Sequence, residues 1–432
     1  MAKVKVYEQF KEFKYLLYGL GRSNKAVKAF FDEHDFRYVI FIDGLSIEPK
    51  LDSFDIVIKS PGIFPNTIFM EKLKENNKLI INDLELFSWF YPESKLIIVT
   101  GTNGKTSTCK LISNIVTKKC KCYLGGNIGI PLFSLMSEKE FKNEIVIVEA
   151  SSFMLDNCYT VRPFIFVLLN VFEHHLDYHQ SFQNYFSSKL RLINNLDENS
   201  YLIYPNNEVF EEEFKNVGCI KYRFDNDKSD LGVIIENNAV LLDEELLYKN
   251  KSYPIVLYHQ LRNILVAASV GVLLDIKASK IRKALEDITF EKFRLEKIYD
   301  DKKTIILNDS KSTNWASSKA AIESINNLNY NVYLIMGGYG DISANNNFSV
   351  LNKVNHVYLF GDNKFQIKDL LDFELIDNSI YNDLESIILN IKDIDEPKII
   401  LFSPGSQSYD HYHNFEERGE HFNRLINKYW HN

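Results

Sequence analysis

The residues with the most chemistry to offer lie between Lys95 and Lys110, in KLIIVTGTNGKTSTCK. A lysine and a threonine directly after a glycine turn act on an anion in two ways. The ammonium neutralises phosphate charge, and the hydroxyl reaches a magnesium ion. Backbone N–H groups at a helix start aim further donors at the same point. The flanking sequence supplies the elements such a turn needs. Leu96-Ile97-Ile98-Val99 suits a short buried strand, and Gly101-Thr102-Asn103-Gly104 is a turn of small residues. Leu111, Ile112, Ile115 and Val116 fall on one face of a helix opened by Lys105-Thr106. A long phosphate loop wants a glycine five residues before Gly104, where Val99 stands, so a shortened G-T-N-G-K-T loop is expected. The alternative is an ordinary strand, turn and helix with a chance Gly-Lys-Thr.

Other candidates follow in the chain. Ile145-Val146-Ile147-Val148 reads as a strand that delivers Glu149 at its end, where a magnesium partner is expected, a helix cap or surface acid being the alternative. Phe164 to Leu169 is another strand, emptying into NVFEHHLDYH at 170–179. Three histidines and two acids in ten residues suggest a site, although no cysteine lies near and H-E-x-x-H is absent, which argues against zinc. A solvated loop with incidental histidines stays open. Lys189, in SKLR at 188–191, sits on a helical pattern and by itself reads as a surface lysine. Asn263 stands at the mouth of a buried helix over 264–274, where its amide meets a base edge or merely caps the helix.

The chain has 432 residues, 45% hydrophobic and 25% charged, with net charge −8. That composition is globular and long enough for about three domains. The negative charge argues against a nucleic-acid partner while leaving anionic small molecules open. Five cysteines without a C-x-x-C pair suggest reduced thiols in a cytoplasm. The N-terminus lacks a long apolar signal core, and the run Ile264 to Leu274 is too short to cross a bilayer, so no membrane partner is expected. Residues 1–92 read as a small α/β unit. Its strands end at Gly19-Leu20-Gly21-Arg22-Ser23-Asn24, Asp43 and Ser60-Pro61-Gly62. Asn24 takes the place of the third glycine of a dinucleotide fingerprint, so the G-x-G alone is compatible with simple tight-turn packing. Residues 233–242 suggest a hairpin. From about Lys297, strands at 304–307, 332–336, 357–360 and 399–402 each run into a polar or glycine turn, predicting a second doubly wound sheet.

Taken together, nine stretches resemble the Mur ligase family. They are SPG at 60–62, GTNGKT at 101–106, GGNIGIP at 125–131, ASSF at 150–153, HLD at 175–177, SKLR at 188–191, NDSKSTN at 308–314, SP at 403–404 and NFEERG at 414–419. They run in family order and span nearly the whole chain. The resemblance implies an α/β protein of three domains. These are an N-terminal Rossmann-like domain for the UDP end of the substrate (1–92), a central P-loop ATPase-like parallel sheet with a small β ribbon (93–296), and a C-terminal Rossmann-like domain for the amino acid (297–432). It implies amide synthesis from ATP, UDP-N-acetylmuramoyl-L-alanine and D-glutamate through an acyl phosphate, by a cytoplasmic monomer.

The resemblance also distributes roles. Lys105, His175 and Lys189 are the expected catalytic residues. Gly101, Thr102, Asn103, Gly104, Lys105, Thr106, Ser107, Asn263, Arg294 and Asp309 match ATP contacts. Two magnesium sites are implied, drawing on Thr106, Glu149, His175 and a carbamylated Lys189, a plain ammonium being repelled by metal. Ser23, Asp43, Ser60, Gly62, Asn127 and Ser151 match contacts to the UDP substrate. Thr313, Ser408 and Phe415 match the amino-acid pocket, with Lys311 or Arg424 as a source of positive charge. Four positions depart from the pattern. His174 stands for the usual Asp. Met154 stands for Gln, which implies a lost polar contact to the sugar. Gln260 stands for Asn, and Gly337-Gly338-Tyr339-Gly340-Asp341 lacks the lysine expected after the glycine turn. Rival readings are a related ligase adding another amino acid, a folylpolyglutamate-type synthase, a P-loop kinase, and a non-catalytic nucleotide-binding protein on the same fold.

Overall fold

The computed structural model describes residues 6–127, 129–135, 144–249, 258–286, 288, 292–325, 330–342 and 346–430. The chain divides into two compact units, one built from residues 1–249 and 262–288, the other from 250–261 and 289–432. The first carries two parallel sheets and an antiparallel ribbon.

Its first sheet is formed by β1 (Lys14–Tyr18), β2 (Arg37–Phe41), β3 (Ile56–Lys59) and β4 (Leu79–Ile81), in the order β2-β1-β3-β4. All three pairings are parallel. The connection leaves β1 in both directions, which opens a crevice at the C-terminal ends of β1 and β3. Asn24 explains the missing third glycine. Its buried amide nitrogen donates to the carbonyls of Tyr18 (3.2 Å), Gly19 (2.8 Å) and Ile58 (2.8 Å), stapling the two strand ends where a glycine would only let the helix approach. Tyr7, Phe30, Phe36 and Phe90 pack ring on ring beneath this sheet. Each such ring contributes roughly 1.5–3 kcal/mol through burial.

The second sheet contains β5 (Lys95–Thr100), β6 (Cys122–Gly126), β7 (Ile145–Glu149), β8 (Ile165–Leu168), β9 (Tyr201–Pro205) and β10 (Ile220–Phe224), ordered β10-β9-β8-β5-β7-β6. Its inner strands β5, β7 and β8 are near-continuous apolar runs, as expected of strands buried on both faces of a parallel sheet. The hairpin expected over 233–242 is present as β11 (Val233–Glu236) and β12 (Ala239–Leu242), extended by β13 (Glu245–Lys249) into a three-stranded ribbon.

In the second unit, β14 (Glu296–Asp300), β15 (Thr304–Asn308), β16 (Asn331–Gly337), β17 (His356–Phe360), β18 (Asn378–Ile380) and β19 (Lys398–Phe402) form a sheet ordered β14-β15-β19-β16-β17-β18. Only β14 runs antiparallel among them. The last strand inserts between β15 and β16, so the turns after these three strands meet at one edge. No helix among the described residues is long and apolar enough to cross a membrane.

Candidate active site

The glycine turn follows β5, and Val99 is a fully buried member of that strand, so the position that a long loop gives to glycine belongs here to the core. Gly101 and Gly104 have φ of +154° and +86°. A Cβ on Gly101 would stand 2.9 Å from the Cβ of Leu169, and one on Gly104 would stand 2.8 Å from Oδ1 of Asn263. Both positions need glycine for conformation and for space. Gly104 leads into the helix Lys105–Val116, whose Leu111, Ile112, Ile115 and Val116 are buried as their spacing predicts. Thr106 and Ser107 lie half-buried in its first turn, where N–H groups have no partner within the helix.

Asn170, directly after β8, holds the turn. Its Oδ1 accepts from the N–H groups of Thr102 (3.1 Å) and Asn103 (2.9 Å), and its Nδ2 donates to the Asn103 carbonyl at 3.1 Å. The Asn170 carbonyl also accepts from Thr102 N–H at 3.0 Å. These two turn amides therefore shape the loop, which leaves anion binding to the helix start and the side chains.

Two lysines converge on one oxygen. Lys105 Nζ donates to the carbonyls of Gly101 and Thr102, each at 2.8 Å, and Lys189 Nζ donates to the same Gly101 carbonyl at 2.8 Å. Lys189 ends the helix Phe182–Lys189 and is only 1% exposed, so the bare-sequence reading of a surface lysine is wrong. It lies over the Tyr185 ring, whose hydroxyl meets Thr102 Oγ1 at 2.9 Å. Burial first, and then the Lys105 charge, push the Lys189 amine well below its ordinary pKa.

The histidine loop separates into two parts. His174 and His175 stand edge to face with centroids 3.8 Å apart, His175 in a left-handed conformation (φ +56°) at the start of the helix Leu176–His179. Desolvation lowers both imidazoles, to about 4 for His174 and about 3 for His175 even though His175 keeps an exposed face, and the Lys105 and Lys189 charges lower them further, so both are neutral with lone pairs available near neutral pH. His179 instead meets the Ser152 hydroxyl at 3.0 Å and stacks on Phe153. The two acids of the loop, Glu173 and Asp177, are exposed.

Glu149 closes β7, 2% exposed and in register with Val99 on β5. Its Oε1 accepts from Asn127 Nδ2 at 3.4 Å, and its charge acts on Cys109 together with that of Lys105, which places the carboxylate beside the first turns of the phosphate-loop helix. Ser151 caps the short helix Ser152–Leu155, and Met154 is buried in the core at 1% exposure, so this position serves packing. The capping role offered for Asn263 is also corrected. The helix spans Tyr258–Leu273, which puts Asn263 inside it with its amide against Gly104.

On the first sheet, Ser60 Oγ donates to the Gly19 carbonyl (3.0 Å) and accepts from Gly21 N–H (3.2 Å), tying the Ser-Pro-Gly and G-x-G turns together. Ser23 is half-buried, Gly62 is exposed, and the exposed Asp43 accepts from the Tyr18 hydroxyl at 2.5 Å. The turns after β1 and β3 and the Asp43 segment after β2 are thus linked at the C-terminal ends of these strands.

In the second unit, Asp309 is buried. Its carboxylate accepts from Leu295 N–H (3.1 Å), from Ser403 Oγ (2.7 Å) and from Ser312 Oγ, and Arg294 acts on it electrostatically. It therefore locks the turns after β15 and β19 together. Lys311 Nζ lies 5.7 Å from the centre of the Phe415 ring, Thr313 N–H donates to the Lys311 carbonyl at 3.0 Å, and Ser408 is 3% exposed. Ser310 and Arg418 fasten this side, with Arg418 donating to Ser310 Oγ and to the carbonyls of Ser310, Ser406 and Gln407. Asp341 and Arg424 are exposed. Among the described residues, Asp362, Asp410 and His411 are a group with donor atoms within 4.8 Å of one another, away from the histidine loop in sequence.

Sequence reasoning missed Asn170 and Tyr185. The available signal was an amide directly after a buried strand that neighbours the glycine turn, and a tyrosine one helical turn before Lys189.

Residues 99–271 match the Mur ligase middle domain. The UDP-N-acetylmuramoylalanine--D-glutamate ligase of Hydrogenobaculum sp. (strain Y04AAS1) is 32% identical, covering 96% of this chain and 99% of that one. The enzyme of the same name from Oenococcus oeni is 28% identical over 96% of each. The structure of MurF ligase from Thermotoga maritima in complex with ADP superposes with a TM-score of 0.62 at 16% identity, covering 96% of this chain and 95% of that one, a likeness of fold. The chain belongs to the Mur ligase family, in the branch of the UDP-N-acetylmuramoylalanine--D-glutamate ligases.

Proposed function

We propose that this chain is the ATP-dependent ligase that joins D-glutamate to UDP-N-acetylmuramoyl-L-alanine in peptidoglycan precursor synthesis, working as a cytoplasmic monomer. The observation that carries the reading is the convergence of Lys105 and Lys189 on the Gly101 carbonyl at the mouth of a strand–glycine turn–helix. Two lysines crowded at one carbonyl oxygen form a site that an anion stabilises.

The division of labour runs along the chain. Residues 1–92 hold the UDP end through Ser23, Asp43, Ser60 and Gly62, residues 93–296 hold ATP, and residues 297–432 hold the amino acid. The substrate carboxylate attacks the γ-phosphorus, ADP leaves, and an acyl phosphate results. The D-glutamate amine then attacks the acyl carbon, and phosphate leaves from a tetrahedral intermediate. Three negatively charged groups repel one another during this sequence, so cations must gather them. Lys105 takes the γ-phosphoryl charge, with the N–H groups of Thr106 and Ser107 adding donors. Asn263 and Arg294 contribute nucleotide contacts, and Asp309 orders the turns beside Arg294.

The donor set suits magnesium, which takes oxygen ligands and tolerates a neutral imidazole. Thr106 and Glu149 would hold one ion, and His175 with a carbamylated Lys189 a second; when bound, these ions would screen phosphoryl oxygens. The neighbourhood of Lys189 favours the modification. Burial and the neighbouring Lys105 charge both disfavour its ammonium. A neutral amine attacks carbon dioxide, forming an N–C bond and releasing a proton, and the buried side chain then ends in a carboxylate near Lys105. In the second unit, Lys311 beside Phe415, with Thr313 and Ser408, suits the γ-carboxylate of glutamate and supplies the charge that the missing lysine after Gly338 would have given.

Incubation with ATP and UDP-N-acetylmuramoyl-L-alanine, with and without D-glutamate, tests the reading. A ligase yields ADP, phosphate and the amide only with all three present. Phosphate release without an amine, or no turnover at all, would return the chain to the kinase or binding-protein reading.

A further inference from the structure

One buried cation has no part in the scheme above. Lys59 ends β3 and is 1% exposed, although every other residue of that strand is apolar. Its Nζ faces the carbonyls of Ile63 (2.8 Å), Pro61 (3.3 Å) and Ser60 (3.4 Å), so its ammonium organises the Ser-Pro-Gly turn from within. The fourth partner lies far along the chain. Tyr178 Oη stands 3.1 Å away, and the Tyr178 ring packs on Phe64 of the same turn with centroids 5.5 Å apart. Asp156 is the acid whose charge acts on both Lys59 and Tyr178.

Tyr178 belongs to the short helix Leu176–His179 that His175 opens. The rings of Tyr178 and His175 both pack on Phe153, at 4.5 and 4.7 Å between centroids. A buried lysine is retained only where its protons are matched, and four acceptors match this one. The outcome is a tie between the turn that carries Ser60 and Gly62 and the segment that carries His175.

We propose that Lys59 and Tyr178 are positioning residues, a buried strap that fixes the Ser60–Gly62 turn against the His175 segment and so sets the approach of the UDP substrate to the phosphoryl group. The inference rests on the ligase reading for its consequence, and on geometry alone for the strap. In-line transfer is sensitive to displacements of about an ångström, which cost up to ~100-fold in rate.

The test uses Tyr178→Phe, which removes only the hydroxyl, and Lys59→Met, which keeps the volume, each checked by thermal melting. Hydrogen exchange is read over residues 60–64 and 174–179. Both segments lose protection in both variants if the strap exists; a change confined to the substituted segment overturns it. In turnover assays, Tyr178→Phe lowers kcat about 10-fold with the KM for ATP unchanged, and the double variant is no slower than Lys59→Met alone. Additive losses, or a kcat within twofold of the parent for Tyr178→Phe, overturn the positioning role. The exchange result stands even if the parent chain forms no amide, so failure of the strap and failure of the ligase reading are told apart.

Discussion

Asn170→Ala tests the shape of the phosphate loop. The side chain makes three hydrogen bonds to the turn, to Thr102 N–H, Asn103 N–H and the Asn103 carbonyl. Thr102 N–H keeps a partner in the variant, because the Asn170 main-chain carbonyl also accepts from it at 3.0 Å. Two bonds to Asn103 are therefore lost. At about 1 kcal/mol net for each, the turn loses about 2 kcal/mol of order. A loop that must be ordered by the nucleotide returns that cost in affinity, and 2 kcal/mol is ~30-fold. Calorimetric titration with ADP measures it directly, with melting in the absence of ligand as the control for folding. The expected result is a ~30-fold weaker Kd in a folded protein. A Kd within threefold of the parent would refute the claim that Asn170 preorganises the loop.

Other outcomes follow from the same geometry. Lys105→Ala should cost on the order of 1,000-fold in kcat, because the loop loses a cation at the transferred phosphoryl group; melting should show an intact fold. Lys189→Ala should lose at least ~100-fold and recover part of it with added formate or acetate, small carboxylates that take the vacated position; mass spectrometry under carbon dioxide checks the carbamate itself. Lys311→Met should raise the KM for D-glutamate by roughly 10- to 100-fold through loss of a charge-assisted bond, leaving the KM for ATP unchanged. Burial raises the Asp83 carboxyl to about 6, with the Ser23 hydroxyl opposing. An acid raised on folding favours the folded state fully below its unfolded value and loses that advantage as pH climbs through 6, a loss of about 3 kcal/mol by neutrality. Asp83→Asn should therefore raise Tm at about pH 7 and leave it nearly unchanged near pH 4.

The fold was legible wherever an apolar run met a turn signal. The strands ending at Tyr18, Lys59, Thr100, Glu149 and Phe402 were readable because fully buried parallel strands are continuous apolar runs bounded by Gly, Ser or Pro. Leu79–Ile81 and Asn378–Ile380 escaped notice because three residues carry no period, and Glu296–Asp300 because an antiparallel edge strand with two exposed residues shows no clear alternation. The helix start at Tyr258 is hidden by the polar His259-Gln260 pair, which puts Asn263 at a helix mouth in the sequence and inside the helix in the structure. In the site, Lys105 and Glu149 could be placed from local pattern alone. Lys189 could not, since burial of a lysine on a helix is decided by what packs over it. Tyr185, one turn back on the same helix, and the Gly101 carbonyl, far back in the chain, are those partners.

The central claim is amide formation through an acyl phosphate, and one measurement reaches it most directly. UDP-N-acetylmuramoyl-L-alanine carrying a heavy isotope at both carboxylate oxygens is turned over with ATP and D-glutamate, and the released phosphate is weighed by mass spectrometry. The account predicts one heavy oxygen in each phosphate, carried across when the carboxylate attacks the γ-phosphorus and left behind when the amine displaces it. Unlabelled phosphate alongside the amide product would contradict it.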